Sequence, residues 1–152
     1  MPTARARLRL VAAGEYLYAI GGQNAVGASV PAVERYSPAE NTWTTQAPMH
    51  HDRGLPGVVA ITRGPRPRRR HFIVTIGGAH ATTFEAAQNF QDTTEVYDVE
   101  QNTWLELSIH LPQAKAGLTA AELADGRIVV AGGLIFNDGV TSDVQATTIH
   151  HL

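Results

Sequence analysis

Residues 33–43 read VERYSPAENTW, and residues 94–104 read TEVYDVEQNTW. Glu34, Tyr36, Asn41, Thr42 and Trp43 return as Glu95, Tyr97, Asn102, Thr103 and Trp104. Both tryptophans of the 152-residue chain are spent on this one echo. A chain that repeats its own wording at this spacing folds as repeated supersecondary units, each too small to bury its own faces and therefore stacked on its neighbours.

A second repeat sets the frame. YLYAIGG (16–22), FIVTIGG (72–78) and RIVVAGG (127–133) are apolar runs closed by a glycine pair. The pairs begin at Gly21, Gly77 and Gly132, which are 56 and 55 residues apart. Each unit reads as β, since its runs are short, rich in Val, Ile, Leu, Tyr and Thr, and bounded by turn residues. Strands are expected near 6–12, 16–21, 31–37 and 42–47, then 56–62, 71–76, 93–98 and 103–108, then 117–123, 127–131 and 143–150. TFEAAQNFQ (83–91) is the one helical candidate. Asp125-Gly126 signals a type I′ hairpin, with Gly14-Glu15 as its counterpart. Asn41 and Asn102 suit left-handed turn positions, and Asp98 suits an Asx turn.

Four antiparallel strands make a twisted sheet that must bury both faces on other sheets around an axis. Glycine pairs fit where backbones crowd and no Cβ is tolerated. Tyr36, Trp43, Tyr97 and Trp104 are then cement between sheets, each offering about 150–250 Å² of surface and a polar tip.

A strand ending in Gly-Gly, a later Tyr, and a Trp seven residues after it resemble the kelch repeat of β-propellers. The pattern is complete in Gly21, Gly22, Tyr36 and Trp43 and in Gly77, Gly78, Tyr97 and Trp104. The third unit keeps Gly132 and Gly133 but has DVQATTIHHL where Tyr and Trp are expected. APMHHDRG (47–54) is similar to the loop between kelch blades, with Arg53 where that family has arginine and Lys115 as its weaker counterpart. The resemblance implies an all-β partial propeller spanning 1–152: blade 1 at about 5–48, blade 2 at about 55–109, and a partial blade 3 at about 116–152 that lacks its outer strand. Rings close with roughly four to eight blades. The expectation is therefore a segment of a larger propeller, with self-association of copies into a ring as the alternative.

Strand alternation sorts the loops onto two rims. Segments 23–30, 50–54, 79–92, 110–116 and 134–142 gather on one, the rim that binding favours because it carries the long irregular loops. Candidate partner or ligand contacts there are Asn24, His51, Arg53, His80, Phe84, Asp92, Lys115 and Asn137. Asp92 and Asn137 also suit plain turns. Arg53 and Lys115 suit either a carboxylate at the central opening or the carbonyls of a neighbouring blade. The histidines lack zinc-site spacing, so no metal and no cofactor is expected. The other rim carries RGPRPRRRH (63–71), which reads as a solvated insertion or as a contact for phosphates or an acidic partner.

The chain has no cysteine, which excludes disulfides and thiolate chemistry. It also excludes the copper site of galactose-oxidase-like propellers, which uses a cysteine joined to tyrosine. The formal charge of −2 gives no field for nucleic acid or membrane. No run reaches the ~18 apolar residues of a membrane span, and no signal-peptide core is present. The chain is therefore expected to be soluble and cytoplasmic. The resemblance implies a protein-interaction module that binds through the strand 2–3 and inter-blade loops. The enzymatic alternative is a carbohydrate-active propeller resembling a sialic-acid mutarotase, with Arg53 and His51 near the central opening. A purely structural role is the third class.

Overall fold

The computed structural model describes residues 1–83, 89–135, 139–140 and 144–148, with backbone alone beyond residue 135. In chain order the strands are β1 (Arg9–Ala13), β2 (Tyr16–Ile20), β3 (Val33–Ser37), β4 (Thr42–Thr45), β5 (Gly57–Arg63), β6 (Arg70–Ile76), β7 (Ala79–His80), β8 (Asn89–Phe90), β9 (Thr94–Asp98), β10 (Thr103–Leu107), β11 (Thr119–Glu122), β12 (Arg127–Ala131), β13 (Leu134–Ile135), β14 (Gly139–Val140) and β15 (Val144–Thr148). They form two four-stranded antiparallel sheets, β1-β2-β3-β4 and β5-β6-β9-β10, and a three-stranded sheet, β11-β12-β15. β1 packs against β5, and β5 against β11, so the first strand of each sheet lies innermost. These are the blades of a propeller, and the third has no fourth strand among the described residues.

Register explains the repeat. Leu17, Tyr36 and Trp43 lie side by side across blade 1, as Ile73, Tyr97 and Trp104 do across blade 2. Blade 2 turns its row onto blade 1, where Tyr97 and Trp104 close a core with Ala13, Tyr18, Ile20, Val33 and Ile73. The opposite face of blade 2 meets blade 3 through Val59, Ile61, Phe72, Val74, Val96, Ile128 and Val130. In blade 3, Thr147 pairs with Ile128, the register position that holds tyrosine in the other two blades. A cavity of about 140 Å³ lined by Phe72, Val96 and Leu105 lies on the face of blade 2 that blade 3 covers.

Tyr36 and Trp43 stack with ring centroids 5.1 Å apart at 40°, and Tyr97 and Trp104 at 5.1 Å and 36°. Asn41 and Asn102 adopt φ of 52° and 53°. Their amide oxygens accept the tyrosine hydroxyls at 2.8 and 2.6 Å. Each asparagine thus turns the chain and locks the aromatic pair. In blade 2 the clamp also grips its neighbour. Trp104 Nε1 donates to Ala47 O at 2.9 Å, and Ala47 N donates to Asn102 Oδ1 at 2.8 Å. In blade 1 the same pair is half-exposed.

The glycine pairs sit at close approaches. A Cβ on Gly77 would fall 2.6 Å from the Lys115 carbonyl, and one on Gly21 would strike the Arg53 carbonyl. The second glycines, Gly22 and Gly78, donate to those same carbonyls at 2.9 and 2.8 Å. Gly133 has φ of 108° and lies against Ala116 O, continuing the pattern into blade 3.

Two local expectations change. The Asp125-Gly126 hairpin is a four-residue turn over 123–126, closed by Gly126 N donating to Leu123 O at 2.9 Å. Gly126 alone has positive φ there, so the turn is not type I′, which needs both central residues left-handed. The helical candidate at 83–91 ends in a strand: Asn89–Phe90 pairs with Ala79–His80, and residues 84–88 lie outside the described residues. Asp98 does close its Asx turn, accepting the amides of Glu100 and Gln101 at 3.1 Å.

Candidate functional site

The rim that carries the strand 2–3 loops is built around a buried ion pair in each of the first two blades. Arg53 Nη2 donates to Glu95 Oε1 at 2.7 Å, and both side chains are fully enclosed. Arg53 Nη1 reaches the carbonyls of Gly77 and Thr93 at 2.8 and 3.1 Å, and Nη2 also reaches Thr93 Oγ1 at 3.0 Å. The second oxygen of Glu95 accepts the His50 amide at 2.8 Å, and Oε1 accepts the His51 amide at 3.2 Å. Burial pulls the Arg53 guanidinium below its ordinary range, and the Glu95 charge opposes that pull.

Blade 1 repeats the arrangement. Arg5 Nη1 donates to Glu34 Oε2 at 2.7 Å, Arg5 Nε to Gly21 O at 2.7 Å, and the Thr3 amide to Glu34 Oε1 at 2.8 Å. Burial pushes the Glu34 carboxyl up, but the hydrogen bonds from Thr3 and Arg5 together outweigh it and hold the group below its ordinary range. In blade 3, Lys115 occupies the arginine's place in the connection, and Gln145 holds the glutamate's register position opposite Val130. The residues after the cation follow suit: Arg7, Leu55 and Gly117 all have positive φ. Leu55 N donates to Arg7 O at 2.9 Å and Gly117 N to Leu55 O at 2.8 Å, which links the three connections.

Above this frame the loops interlock. Ser29 of blade 1 donates its amide to Ala81 O at 2.8 Å and its hydroxyl to Ala79 O at 2.9 Å, and it accepts the Ala81 amide at 3.0 Å. Gly54 and Ala79 exchange two backbone hydrogen bonds, at 2.9 and 2.8 Å. Histidine–carboxylate pairs line the surface: His80 with Asp52 at 2.6 Å, His51 with Glu106 at 3.2 Å, and His110 with Asp92 at 3.4 Å. Each pair is partly exposed. No group of three or more His, Asp or Glu able to hold a metal occurs among the described residues.

The sequence candidates divide on this geometry. His51, His80 and Asp92 stand on the open rim, each in one of those pairs. Arg53 has no exposed surface, and its nitrogens are spent on Glu95, Gly77 and Thr93, which corrects its reading as a ligand contact. Lys115 is 2% exposed and is likewise corrected to an interior position. Asn24 accepts the amides of Val26 and Ala28 at 3.1 Å and so shapes its own loop. Phe84 and Asn137 lie outside the described residues.

Sequence reasoning missed Arg5, Asp52 and Glu106 as site residues, and it gave the repeated glutamates no role. The signal for the glutamates was on view, because each precedes its tyrosine by two residues in the echo. On the opposite rim, a cleft of about 370 Å³ between blades 1 and 2 is lined by Glu15, Tyr16, Arg35, His71 and Glu100. There the Arg35 guanidinium lies 4.4 Å above the Tyr16 ring.

Known proteins match this architecture. The family model for the kelch motif matches residues 4–50. F-box/kelch-repeat protein OR23 of Arabidopsis thaliana is 34% identical over 115 residues, covering 70% of this chain and 25% of that protein. Kelch-like protein 36 of Bos taurus is 34% identical over 129 residues, covering 82% of this chain and 19% of its own length. The chain belongs to the kelch-repeat family. This kelch chain therefore spans about a fifth to a quarter of the curated relatives it matches. Among solved structures, that of YjhT superposes with a TM-score of 0.76 over 99% of this chain and 45% of its own, at 15% identity. That likeness shows the propeller fold and nothing of activity. Among the described residues no helix is long and apolar enough to cross a membrane.

Proposed function

We propose that this kelch chain is a segment of a larger propeller and acts as a protein-interaction module, engaging its partner through the strand 2–3 loops and the inter-blade connections. Kelch repeats typically serve protein interaction. One observation carries the reading further: two neighbouring loops are locked to each other through Ser29, Ala79 and Ala81 while exposed residues remain on both. Val26 is 62% exposed on one loop, and Thr82 and Thr83 are exposed on the other. A surface ordered in advance loses less entropy when a partner settles on it. The half-exposed His51, His80 and Asp92 supply the polar contacts. Arg53, enclosed by Glu95, gives no support to the carbohydrate-active alternative.

The test is photo-cross-linking from p-benzoylphenylalanine placed at Val26, with Leu105, 60% exposed on the outer strand β10, as the control. Discrete protein adducts are expected from position 26 and none from position 105. Equal labelling from both positions contradicts the assignment of the rim.

Self-association of copies into a ring is the second reading. It is favoured by the half-exposed Tyr36–Trp43 pair, which has the ring geometry of the covered Tyr97–Trp104 pair, and by Leu10, 58% exposed on the same face. Light scattering across a size-exclusion peak should then give the mass of two chains, falling to one chain in Trp43→Arg. A monomeric wild type removes this reading.

A further inference from the structure

The turn between β5 and β6 is the anomaly of the second rim. It spans residues 64–69, where the matching turn of blade 1 is Gly14-Glu15 and that of blade 3 is 123–126. Its stem is tied down. Arg63 pairs with Glu122 of blade 3, and Arg70 pairs with Asp98 while lying 5.2 Å above the Phe72 ring. Its tip is not. Arg66, Arg68 and Arg69 are exposed and have no hydrogen-bond or ion-pair partner among the described residues.

Four acids of the neighbouring turns are already engaged, and Glu15 in the turn of blade 1 pairs with none of the tip arginines. Glu122 and Asp98 serve the stem, Asp125 holds Arg127 at 2.8 Å, and Glu100 accepts the His71 amide at 3.0 Å. Three guanidinium groups therefore stand together uncompensated on a chain whose formal charge is −2. Pro65 and Pro67 restrict the tip, and Gly64 (φ +87°) lets the chain close against the Arg68 carbonyl. Proline restriction reduces the freedom the tip must surrender when it binds.

We propose that the β5–β6 tip is a docking site for an acidic, extended segment of a partner protein, whose Asp or Glu carboxylates take Arg66, Arg68 and Arg69 in paired hydrogen bonds. Guanidinium matches carboxylate in this two-pronged way. Phosphate would match too, but single-stranded nucleic acid binds through stacked bases as well as charge. The tip offers no aromatic surface: residues 63–71 contain no Phe, Tyr or Trp, and Phe72 is buried beneath Arg70. The site lies on the rim opposite the interlocked loops, so the chain carries a second contact surface independent of the first.

A fluorescein-labelled octaglutamate peptide and an oligouridylate of equal charge, each titrated into the chain by anisotropy, test this. The wild type should bind the peptide more tightly than the oligouridylate, and added salt should weaken that binding. R66Q/R68Q/R69Q should weaken peptide binding at least about tenfold with an unchanged melting temperature. Three results overturn the proposal: no peptide binding at low salt, tighter binding of the oligouridylate, or a triple variant that binds the peptide as the wild type does.

Discussion

Arg53→Ala lowers the stability of the folded chain by about 3–5 kcal/mol, the cost of removing one partner from a buried ion pair. Glu95 stays behind fully enclosed, still held by the His50 and His51 amides and 3.5 Å from the half-exposed His50 ring, but without its arginine. The carbonyls of Gly77 and Thr93 lose donors at the same time. The loss comes from stranding a charge rather than from the worth of the pair, and a second variant separates the two. Arg53→Met combined with Glu95→Leu removes both charges and keeps most of the volume. It should be markedly more stable than Arg53→Ala, because apolar replacement of a buried pair is often neutral. Urea unfolding of the three proteins checks both statements. A loss below about 1 kcal/mol for Arg53→Ala, the range of ordinary surface changes, would contradict the enclosed pair.

Trp104→Ala costs about 3–5 kcal/mol by opening a cavity between blades 1 and 2. The indole is 9% exposed, stacks on Tyr97 and donates to the Ala47 carbonyl. Truncation removes the packing and leaves that carbonyl unpaired. The melting temperature should fall, and the transition should broaden as blade 1 loosens from blade 2. Trp104→Phe, which keeps the ring against Tyr97 and loses only the indole N–H, should cost less than half as much.

The blades were legible because packing writes itself into sequence as residue type. A backbone approach that excludes Cβ demands glycine, so Gly21 and Gly77 announce the end of a second strand. A large flat ring between sheets demands Tyr or Trp, so the echo announces the outer strands. The same logic fails for Glu34 and Glu95. Their partners, Arg5 and Arg53, stand 29 and 42 residues upstream across loops of unequal length, so no fixed spacing joins them. An acid in a strand usually faces water, and only the enclosing Gly77 and Thr93 carbonyls reveal that Arg53 comes inside to meet one. The Asp125-Gly126 turn misled for a related reason. Asp125 is held by the Arg127 amide and guanidinium, contacts that suit a longer turn with Gly126 alone left-handed. Strand alternation places His51, His80 and Asp92 on one rim. Their partners come from other segments, Asp52 and His110 from loops and Glu106 from β10, which alternation does not align.

The measurement that bears most directly on the account is the cost of Trp43→Ala against that of Trp104→Ala, by urea unfolding of the monomeric fraction. The two tryptophans share one sequence motif and one ring geometry, and they differ in whether a neighbouring blade covers them. If the repeated pair is cement between blades, Trp104→Ala costs at least twice as much as Trp43→Ala. Equal costs would mean that each pair stabilises only its own sheet, and the stacking of blades would need another cause.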